Sequence, residues 1–440
     1  MATKVLKFGG SSLANAEQFR KVAQIIKSER ERKYIIASAP GKRFPEDEKI
    51  TDLLYKCYSL SYEEKNVDQV FKKIEERYNE IINDLNLDLS LHKEFERIRL
   101  AIEHHAGRDY IASRGEYLNG MILAKYLDFD FVDAEKGIFF KENGVLDSER
   151  TNSALSKLLE DHCHAVIPGF YGSMPNGTIK TFSRGGSDIT GSIVAHAVKA
   201  DLYENWTDVS GVFMADPRLV DNPKVIRTIT YKELREMAYM GATVLHEDAI
   251  FPVRLAEIPI NIRNTNNPED KGTMIVPQAE ITGSNGVVTG IAGKKGFSTI
   301  TIEKGMMNSE LGFGRRVFEI LENNCVSFEH IPSGIDAMSI IVSTNEIENK
   351  REQLINEIYK RVKPEALEIE DGLALIAVVG RNMVRTKGTA ARIFTAVAKA
   401  NINIRMIDQG ASELNIIIGV EEKDFVEALK AIYSEFESIK

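Results

Sequence analysis

Apolar residues near the start of the chain are bunched. Val5, Leu6 and Phe8 form a short strand over Val5–Phe8 that Gly9-Gly10-Ser11-Ser12 breaks at once. An amphipathic helix is expected over roughly Ala16–Arg32, and Tyr34–Ala39 is a second strand, ended by Pro40-Gly41. Strand, helix and strand with loop glycines predict a βαβ unit and a parallel sheet. From Ile50 to about His105 the pattern is mostly helical and heavily charged. Further strands are expected at Phe129–Asp133, Ala165–Pro168 and Leu202–Trp206, with an apolar helical run at Ile189–Val198. Ligands of such a sheet belong at the loops that leave the strand ends.

The pattern changes near Val288–Lys295, and an internal repeat follows. Gly312–Val342 lies on Gly388–Ile418 without a gap. Gly312, Arg316, Phe318, Ile331, Gly334, Ile340 and Ile341 meet Gly388, Arg392, Phe394, Ile407, Gly410, Ile416 and Ile417. Each copy reads glycine, helix, strand, short turn, strand, and neither buries a sheet face well alone, so the two are expected to pack together.

Composition narrows the class. The 440 residues are 43% hydrophobic and 28% charged, with a net charge of −9. The balance suits a globular chain and gives no general attraction for nucleic acid. Cys57, Cys163 and Cys325 are too scattered for a disulfide framework or a metal cluster. The N-terminus has no signal-peptide core, and no apolar run approaches the roughly 18–20 residues that span a bilayer. A cytoplasmic location is expected.

Three segments carry chemistry. Lys7-Phe8-Gly9-Gly10-Ser11-Ser12 puts a lysine and a double glycine between strand and helix, where amides and ammonium suit a polyphosphate. Ser183-Arg184-Gly185-Gly186-Ser187-Asp188 puts a guanidinium, two glycines, a hydroxyl and a carboxylate into one turn before a helix, which Ser187 or Asp188 is placed to cap. Trp206-Thr207-Asp208-Val209-Ser210-Gly211, closed by Asp216-Pro217-Arg218, follows a strand and could read a nucleotide.

In this order, with the repeated tail, the three segments resemble the aspartate kinases of the amino-acid kinase superfamily, over essentially the whole chain. Gln409-Gly410-Ala411-Ser412-Glu413-Leu414-Asn415 resembles the second ACT domain, a βαββαβ amino-acid sensor, of that family. The resemblance implies a three-layer αβα kinase domain with a mainly parallel open sheet over 1–293. It implies a first ACT domain over 294–370, completed by about 424–440, and a second over 371–423. It implies transfer of the ATP γ-phosphoryl group to the side-chain carboxylate of L-aspartate with Mg²⁺, the first step toward lysine, threonine, methionine and diaminopimelate. The phosphate-neutralising lysine is Lys7, with Gly9, Gly10 and Ser11 as the phosphate loop. Asp188 positions that lysine, Arg184 grips the α-carboxylate, and Glu116 faces the α-ammonium. Ser38, Thr51, Gly185, Gly186 and Ser187 lie on the substrate side. Thr207, Asp208, Asp216 and Arg218 match the nucleotide pocket. No protein metal site is expected.

Two places depart from the family pattern. Gly241-Ala242-Thr243-Val244-Leu245-His246-Glu247 has Thr243 where a lysine is usual, and the Lys42–Lys49 loop is long. For regulation, the resemblance points to Met307, Gly312, Phe313, Asp336 and Ser339 as effector contacts at an ACT-mediated homodimer or dimer of dimers. Asp336 favours lysine, with threonine or the pair as alternatives. A glutamate kinase and a catalytically silent amino-acid sensor are the competing readings. A fused dehydrogenase has no Gly-x-Gly-x-x-Gly opening a further domain.

Overall fold

The computed structural model describes residues 2–183, 185–242, 245, 247–278 and 286–437. The chain falls into two units. Met1–Val212, Val225–Tyr231 and Val244–Ala279 form the first, and Phe213–Lys224, Lys232–Thr243 and Glu280–Lys440 the second.

The first unit is built on an eight-stranded sheet. Its strands are β1 (Lys4–Phe8), β2 (Arg32–Ala37), β3 (Asp130–Phe131), β4 (Ala165–Pro168), β7 (Leu202–Thr207), β8 (Thr228–Thr230), β9 (Ile260–Asn264) and β10 (Thr273–Val276). A separate hairpin joins β5 (Tyr171–Ser173) to β6 (Ile179–Thr181). The sheet order is β3-β4-β2-β1-β7-β9-β10-β8. Every neighbour pair is parallel except β9 with β10. One helical group comprises α1 (Ala16–Lys27), α2 (Ile50–Tyr62), α3 (Asp68–Asp84), α4 (His92–Glu103) and α5 (Arg108–Leu127), with α5 lying on β2 and β4. The other comprises α6 (Ser148–Glu160), α7 (Gly186–Ala197) and α9 (Glu247–Leu255), with α7 on β1, β2 and β7. α8 (Tyr231–Tyr239) follows β8 directly. The central strands are buried on both faces, which is why they read as continuous apolar runs.

Several boundaries differ from expectation. α1 stops at Lys27, and Arg32 opens β2 where a helix end was expected. Arg32 is needed there. It is 3% exposed, and its Nε and Nη2 bind Glu204 of β7 at 3.0 and 3.2 Å. Trp206 Nε1 donates to the same carboxylate at 2.9 Å. α7 begins at Gly186, so Ser187 and Asp188 sit inside its first turn and cap nothing. The N-cap is Gly185, in the left-handed region at φ 58°, a conformation glycine adopts at little cost.

The second unit carries a six-stranded antiparallel sheet of β11 (Gly290–Glu303), β12 (Phe328–His330), β13 (Ala337–Ser343), β14 (Ala366–Val379), β15 (Met406–Asp408) and β16 (Asn415–Glu421). Its order is β12-β13-β11-β14-β16-β15. The helices are α10 (Phe313–Asn323), α11 (Thr344–Ile347), α12 (Arg351–Arg361), α13 (Thr389–Lys399) and α14 (Phe425–Glu437). Gly312 and Gly388, the matched glycines of the repeat, are both left-handed N-caps of α10 and α13. β11 and β14 run through both repeats. Their ladder shifts register between Lys294 and Phe297, beside Gly296 and Gly372 at φ 90° and 79°.

The expected return of 424–440 to the first repeat is corrected. The first repeat closes on itself, its core running from Ile300 through Phe313, Val317, Ile340 and Leu354 to Val362. α14 packs on α13, with Arg392 bound to Glu435 at 2.7 Å and stacked on Phe436. The inserted element is thus the first repeat, which lies in sequence between the β11 and β14 strands that pair side by side in the second. β11 is long enough to serve both, which a linear reading assigns to one.

Arg32→Met leaves Glu204 charged and buried. It is expected to cost about 3–5 kcal/mol in urea unfolding, and Arg32→Met with Glu204→Leu to recover most of that.

Candidate functional site

The C-terminal ends of β4, β2, β1 and β7 meet at one edge of the first unit. Lys7 stands in the ladder between Ile36 and Asn205. It is the one charged residue in a buried stretch of β1, 8% exposed. Its ammonium is held by Asp188 Oδ1 at 2.6 Å, from the first turn of α7. Asn205 Nδ2 donates to the same oxygen at 2.8 Å, and the Tyr203 hydroxyl donates to the Asp188 carbonyl at 3.2 Å. Asp188 is therefore fixed from two strands, and the lysine is aimed by it.

Beyond Lys7 the strand passes into a turn. The Gly9 amide continues the ladder to the Trp206 carbonyl at 3.0 Å and is not free for a ligand. Gly10 and Ser11 open the 3-10 turn Gly10–Leu13, so their amides are not used inside it. The Gly41 amide donates to the Gly10 carbonyl at 2.8 Å. A Cβ on Gly41 would lie 2.6 Å from the Gly10 carbonyl carbon, so this crossing needs glycine. The long loop after Gly41 is tied down. Arg77 donates to the Gly41 carbonyl at 3.2 Å and to Asp47 at 2.6 Å, and Arg43 grips Asp47 at 3.0 Å. Burial pushes the Asp47 carboxyl up, but the Arg43 hydrogen bonds and the Arg77 charge outweigh it and hold it well below the usual range.

Next to β1, the Ser38 amide donates to the Phe8 carbonyl at 3.3 Å, and the Ser38 carbonyl accepts from Asn119 Nδ2 at 2.7 Å. Thr51 lies in the first turn of α2, whose leading amide, Ile50, bonds to Pro40. Glu116 projects from α5, which is buried on nearly all sides. Its Oε2 is buried with no partner among the described residues. Burial pushes the carboxyl up to about 8, against the pull of the Ala39 amide, its own amide and Arg114. Ser187 closes the edge. It abuts Gly169, whose amide bonds to the Ala37 carbonyl at 3.0 Å. Gly186 packs under Phe170.

Thr207 ends β7, and its hydroxyl donates to the exposed Asp208 at 3.1 Å. Asp216 and Arg218 belong to the second unit and pair with each other at 2.6 Å. That pair lowers the Asp216 carboxyl. Arg184, Thr243 and His246 lie outside the described residues. No group of three or more His, Cys, Asp or Glu suited to a metal occurs among the described residues.

In the first repeat of the second unit, Met307 and Phe313 are 5% and 4% exposed and belong to its core. Gly312 caps α10. Asp336 is exposed and accepts the Met306 amide at 2.7 Å. The Ser339 amide bonds to the Pro332 carbonyl at 2.9 Å. The sequence reading missed Asn205, Asn119 and Arg77. A signal existed for Asn205, since Glu204-Asn205 is polar within a strand that is otherwise apolar.

A mainly parallel αβα sheet with a lysine and a carboxylate paired at its carboxyl edge defines the first unit as an α/β fold with an anion-binding edge, and two βαββαβ repeats make the second. Residues 2–264 match the Amino acid kinase family, and residues 376–436 match an ACT domain. Aspartokinase 3 of Bacillus subtilis (strain 168) is 40% identical over 98% of each chain. The crystal structure of Clostridium acetobutylicum aspartate kinase is 53% identical. It covers 99% of this chain and 100% of its own, with a TM-score of 0.89. Escherichia coli aspartokinase III in complex with aspartate and ADP shares the fold at 24% identity and a TM-score of 0.73, over 98% of this chain and 99% of its own. The chain belongs to the amino acid kinase family and, within it, to the aspartokinases.

The Glu116 carboxyl carries a pH signature. Its folded value of about 8 lies above its ordinary 4.5, so the folded state holds a proton there that the unfolded state has lost. The stabilisation from that proton is complete below about 4.5 and disappears as pH rises through 8. Thermal melts of wild type and Glu116→Gln are expected to differ little at pH 5. The variant gains on wild type by several degrees at pH 9, and parallel curves would contradict the buried, protonated state.

Proposed function

We propose that the chain transfers the γ-phosphoryl group of ATP to the side-chain carboxylate of L-aspartate, giving 4-phospho-L-aspartate and ADP. The observation that carries this is the Lys7 ammonium, fixed by Asp188, which Asn205 holds in turn, on the strand that leads into the Gly10–Leu13 turn. A substrate carboxylate has an unperturbed pKa of about 3.9 and is already ionised at pH 7, so no base is needed to activate it. The obstacle is bringing that anion up to a polyanionic nucleotide. Phosphoryl transfer is helped mainly by positioning and by cationic charge on the transferring group. Lys7 supplies fixed charge, and the strand-end amides supply donors. Mg²⁺, carried on the nucleotide's phosphates and water as this ion commonly is, would neutralise further charge.

Glu116 is the partner for the substrate's ammonium. An incoming cation makes ionisation of the buried carboxyl favourable, so binding expels its proton. Arg184 takes the α-carboxylate, on the family resemblance, with Ser38, Thr51 and Ser187 around the substrate. Thr207, Asp208, Asp216 and Arg218 serve the nucleotide. The kinase part then spans about 1–293 in a cytoplasmic enzyme at the head of lysine, threonine, methionine and diaminopimelate synthesis. Glutamate is the competing substrate, since an ammonium site and a carboxylate site fit any α-amino acid.

Lysine is the proposed effector, with threonine the alternative, bound at a homodimer surface of the first ACT repeat. Asp336 supplies the negative charge for an ammonium. The exposed Met306, Leu311 and Ile335, at 72%, 95% and 70%, are the apolar area such a surface would cover.

Acyl phosphate trapped with hydroxylamine is expected from aspartate and ATP, and at least tenfold less from glutamate. Lys7→Ala is expected to lower turnover by about 10²-fold or more in a chain that is still folded at the assay temperature. Near-normal turnover removes Lys7 from the mechanism. In the same assay Asp336→Ala is expected to raise the lysine concentration for half inhibition at least fivefold, and coincident inhibition curves contradict its role.

A further inference from the structure

The first unit holds a cavity of about 720 Å³ that none of Lys7, Glu116, Ser187 or Asp188 lines. One wall is a face of α7, with Ile189, Ile193 and His196 one turn apart; the neighbouring face of the same helix carries Asp188 to Lys7. The opposite walls are α9, the 140–152 segment and the β6 strand. The volume is several times that of an amino acid and falls in the range of pockets for drug-sized ligands.

Three features describe what would fit. The walls mix apolar and polar groups, and Val145, Phe251 and Leu255 on them are 57%, 50% and 62% exposed. Large apolar side chains left open around a concave wall mark a binding site more often than a bare surface. At another point Arg108 stacks on the Tyr55 ring at 4.4 Å and forms no ion pair among the described residues. Beside it, Lys180 lies 3.6 Å from Asp109, whose oxygens already accept the Thr181 amide and hydroxyl at 3.2 and 2.9 Å. The cavity lining thus holds two cations, Arg108 and Lys180, and one carboxylate, Asp109, that is already engaged. Burial holds the His196 imidazole below its usual value, so it adds no charge at neutral pH.

We propose that this cavity is a second ligand site, for an amphipathic anion with an apolar or aromatic body and one carboxylate, sulfonate or phosphate set on Arg108 and Lys180. Ser183, which opens the Ser183–Asp188 turn, and Ile189, which follows it, both line the cavity. A bound ligand therefore bears on the turn that holds Asp188, and occupancy alters turnover.

The probe is 8-anilinonaphthalene-1-sulfonate, titrated by fluorescence into the full chain. A saturable site is expected whose Kd rises at least fivefold in Arg108→Met and at least tenfold in Leu255→Glu. Leu255 is exposed, so the second variant folds whatever the first does. Neither ATP nor aspartate displaces the probe. At saturation it changes wild-type acyl phosphate formation at least twofold, and in Arg108→Met the same change needs at least fivefold more probe. Equal affinity in all three proteins overturns the site, as does displacement by ATP or aspartate. A change in particle mass in Leu255→Glu without a change in probe affinity also overturns it and assigns the face to contact between copies of the chain. The titration reads out even if aspartate is not the kinase substrate, so its failure and that of the kinase reading are separate.

Discussion

The contact on which the kinase site depends is the pair between Lys7 and Asp188. A lysine in a central, doubly buried strand is costly unless its charge is matched. Asp188 matches it from another element, and Asn205, on a third, donates to that carboxylate and holds it in place. Three pieces of chain far apart in sequence are thereby locked at one strand edge. The same pair leaves the ammonium at the boundary between a dry sheet and an open edge. There a cation is weakly screened and suits an incoming phosphate.

The two ends of the sheet divide the work. Inside the sheet, Arg32 at the head of β2 with Glu204 and Trp206 of β7 forms a closed, satisfied cluster with nothing left for a ligand. Toward the finish, Glu116 keeps an oxygen with no partner among the described residues, and the Gly10 and Ser11 amides are unused by their own turn. Satisfied polar groups are the rule in a protein interior, and an unsatisfied one calls for an explanation. The buried carboxyl is the clearer case. Its proton is the cost of holding an acid in a dry place.

The second unit solves a different problem. Two small βαββαβ repeats have little core apiece, and here they share two fourteen-residue strands. Gly296 and Gly372 let both strands change course between the repeats. The first repeat keeps its own core and its outer turn at Ile331–Asp336. A ligand on that turn thus acts on a body that is continuous, through β11 and β14, with the second repeat.

The sequence by itself determined the parallel sheet, the glycine turns, the tandem repeat and most candidate site residues. Those depend on local signals: apolar runs, glycine where backbone must bend or pass close, and charged residues in unusual places. Tertiary structure decided what such signals cannot encode. Arg32 opens a strand because Glu204, distant in sequence, needs a partner. The Gly9 amide is taken by Trp206, although the motif alone offers it to a phosphate. Met307 and Phe313 face a core, although the repeat alone leaves them open to a ligand. The last helix joins the second repeat because β11 supplies that repeat's missing strand. Asn205 acquires meaning only through the register that sets it against Lys7. In each case the deciding partner is remote in the chain, so burial and pairing, fixed only on folding, chose between readings the local sequence left equal.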